Sequence, residues 1–289
     1  MPPQTPTKQN PTFVLCFDFD GTLAHPSQDP AFHPRMLEYL KVLRRAGAVW
    51  VVNSGRGLLS LLEGFAQNGV FHQPDYIVAN EYEIYKPTSM NRWENFGKWN
   101  KQVFRDQKRF HRTHRKTLQD LQQWVSSNTG GDMLMDEGGG WGVVTPSVMD
   151  MDRVCDRIHE VRDGGLPDLG YQRNGRHLRF SHSAYSKGVA LTELCRMLEV
   201  PSARTFAGGD NHNDLTMLDR EVALYRACPS NSVPEVKEAL RRSGGYVASQ
   251  DGCLGMMQAL RYFFRENLDE EGITTAGRDP VVESDLHHE

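Results

Sequence analysis

The chain has 289 residues, of which 38% are hydrophobic and 24% are charged. These fractions are typical of a folded globular protein and exclude wholesale disorder, and no run of about 20 apolar residues is present to span a bilayer. The net charge is −4, but residues 266–289 hold eight acidic side chains and one basic one. The remainder is therefore only mildly positive, far from the strongly basic character of proteins that bind duplex nucleic acid.

The chain begins with a polar, proline-rich segment, residues 1–11, which lacks the apolar centre of a signal peptide. We expect this segment to be a flexible tail of a cytoplasmic protein. Short apolar runs and amphipathic helical patterns then alternate, which is typical of a parallel α/β sheet. The predicted elements are, in order, a strand at 13–19, a helix at 34–46, a strand at 49–52, a helix at 58–66 and a strand at 76–79.

The middle of the chain, residues 82–181, has a different pattern. Short apolar runs flank two glycine-containing turns, Gly138-Gly139-Gly140 and Asn174-Gly175, which favour β-hairpins. The segment therefore predicts a compact antiparallel αββαββ unit inserted into an α/β domain. Its predicted elements are a helix at 97–126, strands at 133–135 and 141–144, a helix at 149–161, and strands at 169–172 and 177–180.

The α/β alternation returns in the last third of the chain, and the acidic residues 266–289 predict a second flexible tail. We expect a Rossmann-like, doubly wound parallel sheet formed by residues 12–81 and 182–265, with an inserted α+β cap domain at 82–181. The predicted elements of the last third are a helix at 187–198, a strand at 205–207, a helical piece at 215–218, a strand at 222–225, a helix at 234–240, a strand at 246–248 and a helix at 254–264.

Two carboxylates, Asp18 and Asp20, come at the end of the first predicted strand, in the segment DFDGT. Side chains two positions apart on an extended chain face the same side, so these two charges repel each other unless a cation lies beside them. Mg²⁺ prefers oxygen ligands of this kind, and open α/β sheets bind ligands at the carboxyl ends of their strands. Gly21 permits the sharp turn that follows. The segment favours a metal-dependent site over two solvated acids in a turn.

Two weaker signals lie at predicted helix starts. Ser54 and Gly55, in the segment NSGR, offer a hydroxyl and backbone N–H donors that can hold a phosphate oxygen. Lys187, in the segment SKG, can supply a point charge to the same group. Taken singly, both signals are weak: the first segment is also typical of an ordinary helix-entry turn, and a surface lysine explains the second better.

A second strong signal is the segment GGDNHND, residues 208–214, directly after a predicted strand. It places two carboxylates, Asp210 and Asp214, and the amide of Asn213 in one glycine-flanked loop. Burying these groups without a cation would be costly.

In this order the four segments resemble the four motifs of the haloacid dehalogenase superfamily, and the resemblance covers residues 13–264. The insert lies between the second and third motifs, where the class-two caps of that superfamily lie, and its pattern is similar to that of Cof-type and sucrose-phosphate phosphatases. The resemblance implies a Mg²⁺-dependent phosphatase that acts on a small phosphorylated metabolite, with sugar phosphates as the first expectation.

The resemblance also implies roles for the acidic residues. Asp18 resembles the nucleophile that forms an aspartyl phosphate, and Asp20 resembles the general acid and base. Asp18, the backbone carbonyl of Asp20 and Asp210 resemble the ligands of Mg²⁺. Asp214 resembles a group that orients metal-bound water.

The remaining matches are the phosphate-binding residues Ser54, Gly55, Lys187 and Asn213. Two departures stand out: Ser54 replaces a threonine common in close relatives, and Asn80-Glu81 stands where many relatives have Asn-Gly. The first change keeps the hydroxyl. The second change predicts that the chain passes from the core into the cap domain in a different way from those relatives.

Other features are given less weight. Residues 98–116 carry eight basic side chains and one acidic one. His111 and His114 also lie in this stretch, but no carboxylate or cysteine stands nearby to complete a metal site with them. A solvated helix face that steers anionic substrates explains this stretch better than nucleic-acid binding does. The five cysteines are scattered, with no C-x-x-C pair, and are typical of reduced thiols. Neither the role of His212 nor the oligomeric state follows from the sequence.

Three alternative functions remain open at this point. A phosphomutase of the same superfamily would share the chemistry of Asp18 and Asp20 but pass the phosphoryl group to a second hydroxyl instead of water. A signalling receiver domain would use Asp18 only as a phosphate acceptor, and it needs neither Asp20 nor a cap. A non-catalytic binding protein is disfavoured because all four motifs are present.

Overall fold

The computed structural model describes residues 11–88, 92–135 and 140–270. The strands are β1 (Phe13–Phe17), β2 (Ala48–Asn53), β3 (Tyr76–Ala79), β4 (Glu83–Pro87), β5 (Trp93–Asn95), β6 (Asp132–Met135), β7 (Trp141–Val144), β8 (Leu169–Asn174), β9 (His177–His182), β10 (Thr205–Gly208), β11 (Tyr225–Cys228) and β12 (Tyr246–Val247). The helices are α1 (Arg35–Arg45), α2 (Leu58–Gln67), α3 (Trp99–Thr113), α4 (Arg115–Asn128), α5 (Val148–Asp163), α6 (Lys187–Leu198), α7 (Pro234–Ser243) and α8 (Gly252–Glu270).

The larger sheet has the strand order β12-β11-β10-β1-β2-β3-β4-β5, in which the first six strands are parallel and the last two antiparallel. Its central strand, β1, is apolar throughout because both faces are covered. Leu15 and Phe17 point into one hydrophobic cluster, packed by α1, α2 and α8. Val14 and Cys16 point into the other, packed by α6 and α7. The predicted doubly wound α/β core is confirmed.

A smaller antiparallel sheet, β6-β7-β9-β8, belongs to the inserted segment. Side chains from α3, α4 and α5, among them Phe110, Val125 and Ile158, form a third hydrophobic cluster against it. The predicted hairpin at Asn174-Gly175 is present, because Asn174 pairs with His177 and Gly175 adopts a φ of 56°. The other predicted hairpin turn lies largely outside the described residues.

The single helix predicted at 97–126 is wrong, since α3 and α4 are separated at His114. The backbone there has a φ of −97° and a ψ of 12°, outside helical values. The His114 ring is buried, with its Nε2 3.0 Å from the Asp168 carboxylate and its ring centroid 4.9 Å from that of Phe110. These contacts fix the break, although no glycine or proline marks it in the sequence.

Two strands inside the predicted insert had no counterpart in the sequence analysis. Strand β4 pairs antiparallel with β3, and β5 pairs with β4, so the hydrogen bonding of the larger sheet continues to Asn95. The domain boundary at residue 82 stays a prediction, but the sheet boundary lies later in the chain.

Two assignments near the C-terminus are also wrong. The helical piece predicted at 215–218 is a turn that follows a short 3-10 helix at His212–Asp214. The strand predicted at 222–225 lies at Tyr225–Cys228 instead. It contains a buried arginine, Arg226, whose guanidinium donates to the Ser243 hydroxyl and carbonyl, both at 2.7 Å.

The five cysteines all lie in the described part of the chain and are buried and unpaired. Cys155 belongs to the third cluster, and the other four belong to the first two. Within the described ranges, no helix combines the length and the apolar character needed to cross a membrane.

Candidate active site

Three adjacent parallel strands bring the predicted site residues together. Strands β10, β1 and β2 are neighbours, so the residues that follow them, Asp210, Asp18 and Ser54, meet at one edge of the sheet. Gly21 makes the turn after β1 with a φ of 83°, and a Cβ there would lie 2.5 Å from Asp210 Oδ2. A glycine at this position therefore lets the two loops approach each other closely.

Lys187 connects two of the carboxylates. It is the first residue of α6, fully buried, and its Nζ lies 2.6 Å from both Asp18 Oδ1 and Asp214 Oδ1. Burial opposes its positive charge, but Asp18, Asp214 and Glu81 together raise the pKa of Lys187 above its ordinary value. The lysine is therefore charged, and it holds the Asp18 carboxylate in place.

Asp18, Asp210 and Asp214 form a buried carboxylate cluster in which one oxygen from each lies within 4.8 Å of the others. Burial raises the pKa of Asp18 well above its ordinary value, against the opposing effect of Lys187. Burial and the charge of Asp214 raise the pKa of Asp210 to about 7. The single positive charge of Lys187 does not balance three acids, so the cluster has the charge and the oxygen donors that suit a divalent cation.

Asp214 also fixes the backbone of its own loop. Its Oδ2 accepts hydrogen bonds from the backbone N–H of Asp210 at 2.8 Å and of Asn211 at 2.9 Å. Asp210 in turn accepts a hydrogen bond from the Thr22 hydroxyl at 2.9 Å. Both side chains are thereby oriented before any ligand binds.

Asp20 lies apart from this carboxylate cluster, at the mouth of the cavity, where 42% of its side chain is exposed. Arg56 holds both of its oxygens: Nε donates to Oδ2 and Nη2 to Oδ1, each at 2.6 Å. The guanidinium also lies 5.4 Å from the centre of the Phe19 ring. Arg56 is part of the segment NSGR, but sequence reasoning assigned it no role.

Three of the predicted phosphate-binding residues, Ser54, Gly55 and Asn213, line the same cavity, whereas Lys187 is fully buried and is not among the described residues that line it. Ser54 is buried, and its Oγ accepts a hydrogen bond from the backbone N–H of Arg56 at 3.1 Å. Asn213 donates through Nδ2 to Glu81 Oε1 at 2.8 Å, whereas its Oδ1 is buried with no hydrogen-bond partner among the described residues. Such an unpaired acceptor fits a site that a ligand or a metal-bound water completes.

The cavity has a volume of about 740 Å³ and lies between the edge of the larger sheet and the face of the smaller one. Core residues form its floor, and strands β6 to β9 form its other wall. The wall residues from the inserted segment are Leu134, Met135, Gly142, Val143, Val144, Gln172, Asn174, His177, Leu178 and Arg179.

Comparison with known proteins agrees with this geometry. Residues 163–254 match the family model described as haloacid dehalogenase-like hydrolase. A protein of Bacillus subtilis (strain 168) named "Putative phosphatase YxeH" is 43% identical over 58 residues, a stretch that covers 20% of this chain and 21% of that protein. Over the matched segments, the chain is similar to haloacid dehalogenase-like hydrolases.

Solved structures show the same fold. The sucrose-phosphatase of Synechocystis sp. PCC6803, in complex with sucrose and phosphate, superposes with a TM-score of 0.67 at 19% identity, covering 88% of this chain and 98% of that one. The haloacid dehalogenase-like hydrolase yhjK of Bacillus subtilis superposes with a TM-score of 0.60 at 14% identity, covering 89% and 93%.

One residue of the candidate site was missed as a functional residue. Glu81, noted in the sequence only as a departure, is buried and lines the cavity floor. Its neighbour Asn80 accepts a hydrogen bond from Arg179 Nη1 of the cap strand β9 at 2.9 Å. Both Asn80 and Glu81 have positive φ angles, which no feature of the sequence indicates.

Proposed function

We propose that this chain is a Mg²⁺-dependent phosphatase that hydrolyses a small phosphorylated metabolite through an aspartyl phosphate on Asp18. The observation that carries the proposal is the buried Asp18 carboxylate, held by Lys187 at 2.6 Å on the floor of a cavity whose mouth carries a second acid, Asp20. This arrangement supplies a nucleophile, a proton donor and phosphate-binding groups in one place.

In the first step, an Asp18 carboxylate oxygen attacks phosphorus, the bond to the leaving oxygen breaks, and Asp20 protonates that oxygen. In the second step, water attacks phosphorus, Asp20 takes its proton, and the bond between phosphorus and the Asp18 oxygen breaks, which releases inorganic phosphate and regenerates the Asp18 carboxylate. Ser54, Lys187 and Asn213 would hold the non-bridging oxygens throughout, which provides the positioning that phosphoryl transfer requires.

Mg²⁺ would be held by Asp18, the backbone carbonyl of Asp20 and Asp210, and would neutralise charge on the phosphoryl oxygens. The hard oxygen donors and the burial of the cluster of Asp18, Asp210 and Asp214 support this assignment. Asp214, already fixed by Lys187 and by two backbone N–H groups, would orient water bound to the ion.

Sugar phosphates are the substrate class we propose first. A cavity of about 740 Å³ has room for a phosphorylated sugar, and its cap wall combines apolar side chains such as Leu134 and Val144 with polar ones such as Gln172 and Asn174. The structurally similar Synechocystis protein was captured with sucrose and phosphate. We propose no membrane or nucleic-acid partner, and the cytoplasmic location stays a prediction.

The decisive experiment compares the wild type with Asp18→Asn for phosphate release from a panel of phosphorylated sugars, polyols and nucleotides. We expect the wild type to release phosphate with Mg²⁺ and to lose activity in excess chelator. The variant should lose on the order of 10⁴-fold or more, as nucleophile removals do. Equal unfolding midpoints for the two proteins would show that the fold is intact.

Retained turnover in Asp18→Asn would contradict the covalent mechanism, and full activity without metal would contradict the assignment of the carboxylate cluster. Formation of an isomeric sugar phosphate without phosphate release would identify a phosphomutase instead.

A further inference from the structure

Glu81 has no role in the mechanism above, yet it lies on the cavity floor. It is the second residue of the short connection between β3 and β4, and only 6% of it is exposed. A buried carboxyl group is costly unless it is neutral or paired. Its position therefore calls for a specific reason.

The contacts of Glu81 are with predicted phosphate-binding residues. Its Oε1 accepts a hydrogen bond from Asn213 Nδ2 at 2.8 Å, and a Cβ built on Gly55 would lie 3.2 Å from the same oxygen. The other oxygen, Oε2, is buried and has no hydrogen-bond partner among the described residues. One side of the carboxyl is thus anchored, and the other is a buried oxygen without a partner among the described residues, in a residue that lines the cavity.

The backbone at this position is strained. Asn80 has a φ of 51° and Glu81 a φ of 74°, in the left-handed region that disfavours residues with a Cβ. Glycine would occupy the position of Glu81 without this cost. Strain of this kind is retained where it positions a functional group.

Charged groups face Glu81 from three other elements: Lys187 from α6, Asp214 from the loop after β10, and Arg179 from β9. Burial raises the pKa of Glu81 to about 7, although Lys187, Asn213 and Arg179 oppose the rise. Asp18 and Asp20 line the same cavity. A phosphate dianion on the cavity floor would add two negative charges close to this carboxyl group.

We propose that Glu81 is a further phosphate-binding residue, whose Oε2 carries a proton when phosphate is bound and donates a hydrogen bond to a non-bridging phosphoryl oxygen. The proposal rests on the phosphatase function proposed above. An ionised Glu81 would repel the anion, so binding above pH 7 draws one proton from solvent onto the carboxyl group.

The test uses sulfate, a tetrahedral dianion that does not itself titrate between pH 5 and 9. Its binding to the full chain is measured by calorimetry at pH 8, with Mg²⁺ present and ionic strength held constant, in two buffers of different ionisation enthalpy. We expect the wild type to take up close to one proton per sulfate, because about nine-tenths of Glu81 would be ionised at pH 8.

The isosteric variant Glu81→Gln keeps a neutral donor and should take up no proton. At pH 8 only about one-tenth of the wild-type molecules carry a protonated Glu81 and can bind sulfate. The variant should therefore bind sulfate about tenfold more tightly than the wild type at pH 8, and about as tightly as the wild type at pH 5.5. Glu83→Gln is the matched control. Glu83 is also a buried carboxyl, but it bonds to Asn80 and Tyr85 and is not among the described residues that line the cavity. This control should behave like the wild type.

Wild-type binding without proton uptake, equal uptake in Glu81→Gln, or no sulfate binding to either protein would overturn the proposal. Sulfate binding needs no turnover, so its outcome is separate from that of the phosphate-release assay. If sulfate binding takes up a proton as expected but no phosphate is released from any substrate, the proposed role of Glu81 stands and the proposed phosphatase function fails.

Discussion

Asp20 and Arg56 form a closely bonded pair at the cavity mouth, with two hydrogen bonds of 2.6 Å. Asp20 must give up at least one of these bonds before it can protonate a leaving group. The pair engages both carboxylate oxygens of the proposed acid. At the scale of single residues, the proposed mechanism requires Asp20 to exchange a hydrogen bond from Arg56 for one to the substrate.

Asp20→Asn tests this role because it removes the proton donor and leaves the nucleophile in place. For a sugar phosphate, we expect a loss of about 10²- to 10⁴-fold, the usual contribution of a general acid or base. An activated aryl phosphate needs little protonation of its leaving group, so its first step should be slowed much less. Rapid-quench measurement of phosphoenzyme formation with both substrates separates these effects.

The second step with the aryl phosphate should still be slow in Asp20→Asn, so the phosphoenzyme should accumulate. An equal loss in the first step for both substrates would show that Asp20 acts only through its charge or its contact with Arg56.

The buried acids also predict how stability depends on pH in metal-free protein. Burial raises the pKa values of Asp210 and Glu81 to about 7, whereas in the unfolded chain both lie near 4. The folded state binds more protons between these values. The stability that this contributes is therefore present below pH 4 and is lost as pH rises through 7, by roughly 1.4 kcal/mol per unit for each group.

Mg²⁺ should reverse this trend, because it favours the ionised carboxylates. We expect it to raise the unfolding temperature more at pH 8 than at pH 5, in thermal melts with Mg²⁺ and with chelator. Asp210→Asn should reduce both the pH dependence and the Mg²⁺ effect. A Mg²⁺ shift of equal size at both pH values would contradict this explanation.

The sequence predicted that Asp18, Asp210 and Lys187 lie close together, because the carboxyl ends of neighbouring parallel strands must meet, and the structure places them so. The sequence did not reveal the role of Arg56 or Glu81. The Asp20–Arg56 contact depends on side-chain conformations, and the position of Glu81 depends on two left-handed backbone angles. Local residue type encodes neither.

At the scale of elements, the turn after β1 depends on Gly21. Gly21→Ala adds a Cβ 2.5 Å from Asp210 Oδ2 at a φ of 83°. We expect the strained backbone to cost about 1–2 kcal/mol of stability. Displacement of the Asp210 carboxylate should lower the stability further and should also weaken Mg²⁺ binding. Gly69→Ala is the matched control, since Gly69 has a φ of 67° with no atom within 4 Å of its Cβ position.

Gly69→Ala should lose similar backbone stability and bind Mg²⁺ normally. The measurements are thermal unfolding and Mg²⁺ titration of both variants. Normal Mg²⁺ affinity in Gly21→Ala would show that Asp210 can relax without cost to the site.

Elements with clear periodicity were predicted well, and the errors have specific causes. Strand β11 was predicted three residues too early. Arginine is typical of surface positions, so Arg226 argued against a buried strand, whereas the alternating apolar residues Val222 and Leu224 favoured one. Strands β4 and β5 are short and partly polar and carry little hydrophobic signal, and β5 is an edge strand of the larger sheet.

At the scale of the whole molecule, the two faces of the larger sheet and the inserted segment each have a hydrophobic cluster of their own. Among the described residues, the third cluster, in the inserted segment, has the fewest buried side chains. We therefore propose that residues 82–181 include a unit that unfolds separately and at lower denaturant concentration than the rest.

The burial of all five thiols makes this measurable. Alkylation of the native protein should be slow, and a urea series should modify Cys155 of the third cluster before the four thiols of the other two. Modification of all five at a single urea concentration would show that the chain unfolds as one cooperative unit. One natural cysteine lies in the third cluster and four lie in the other two. The mass added by alkylation at each urea concentration therefore shows which part of the wild-type molecule unfolds first, without any introduced label.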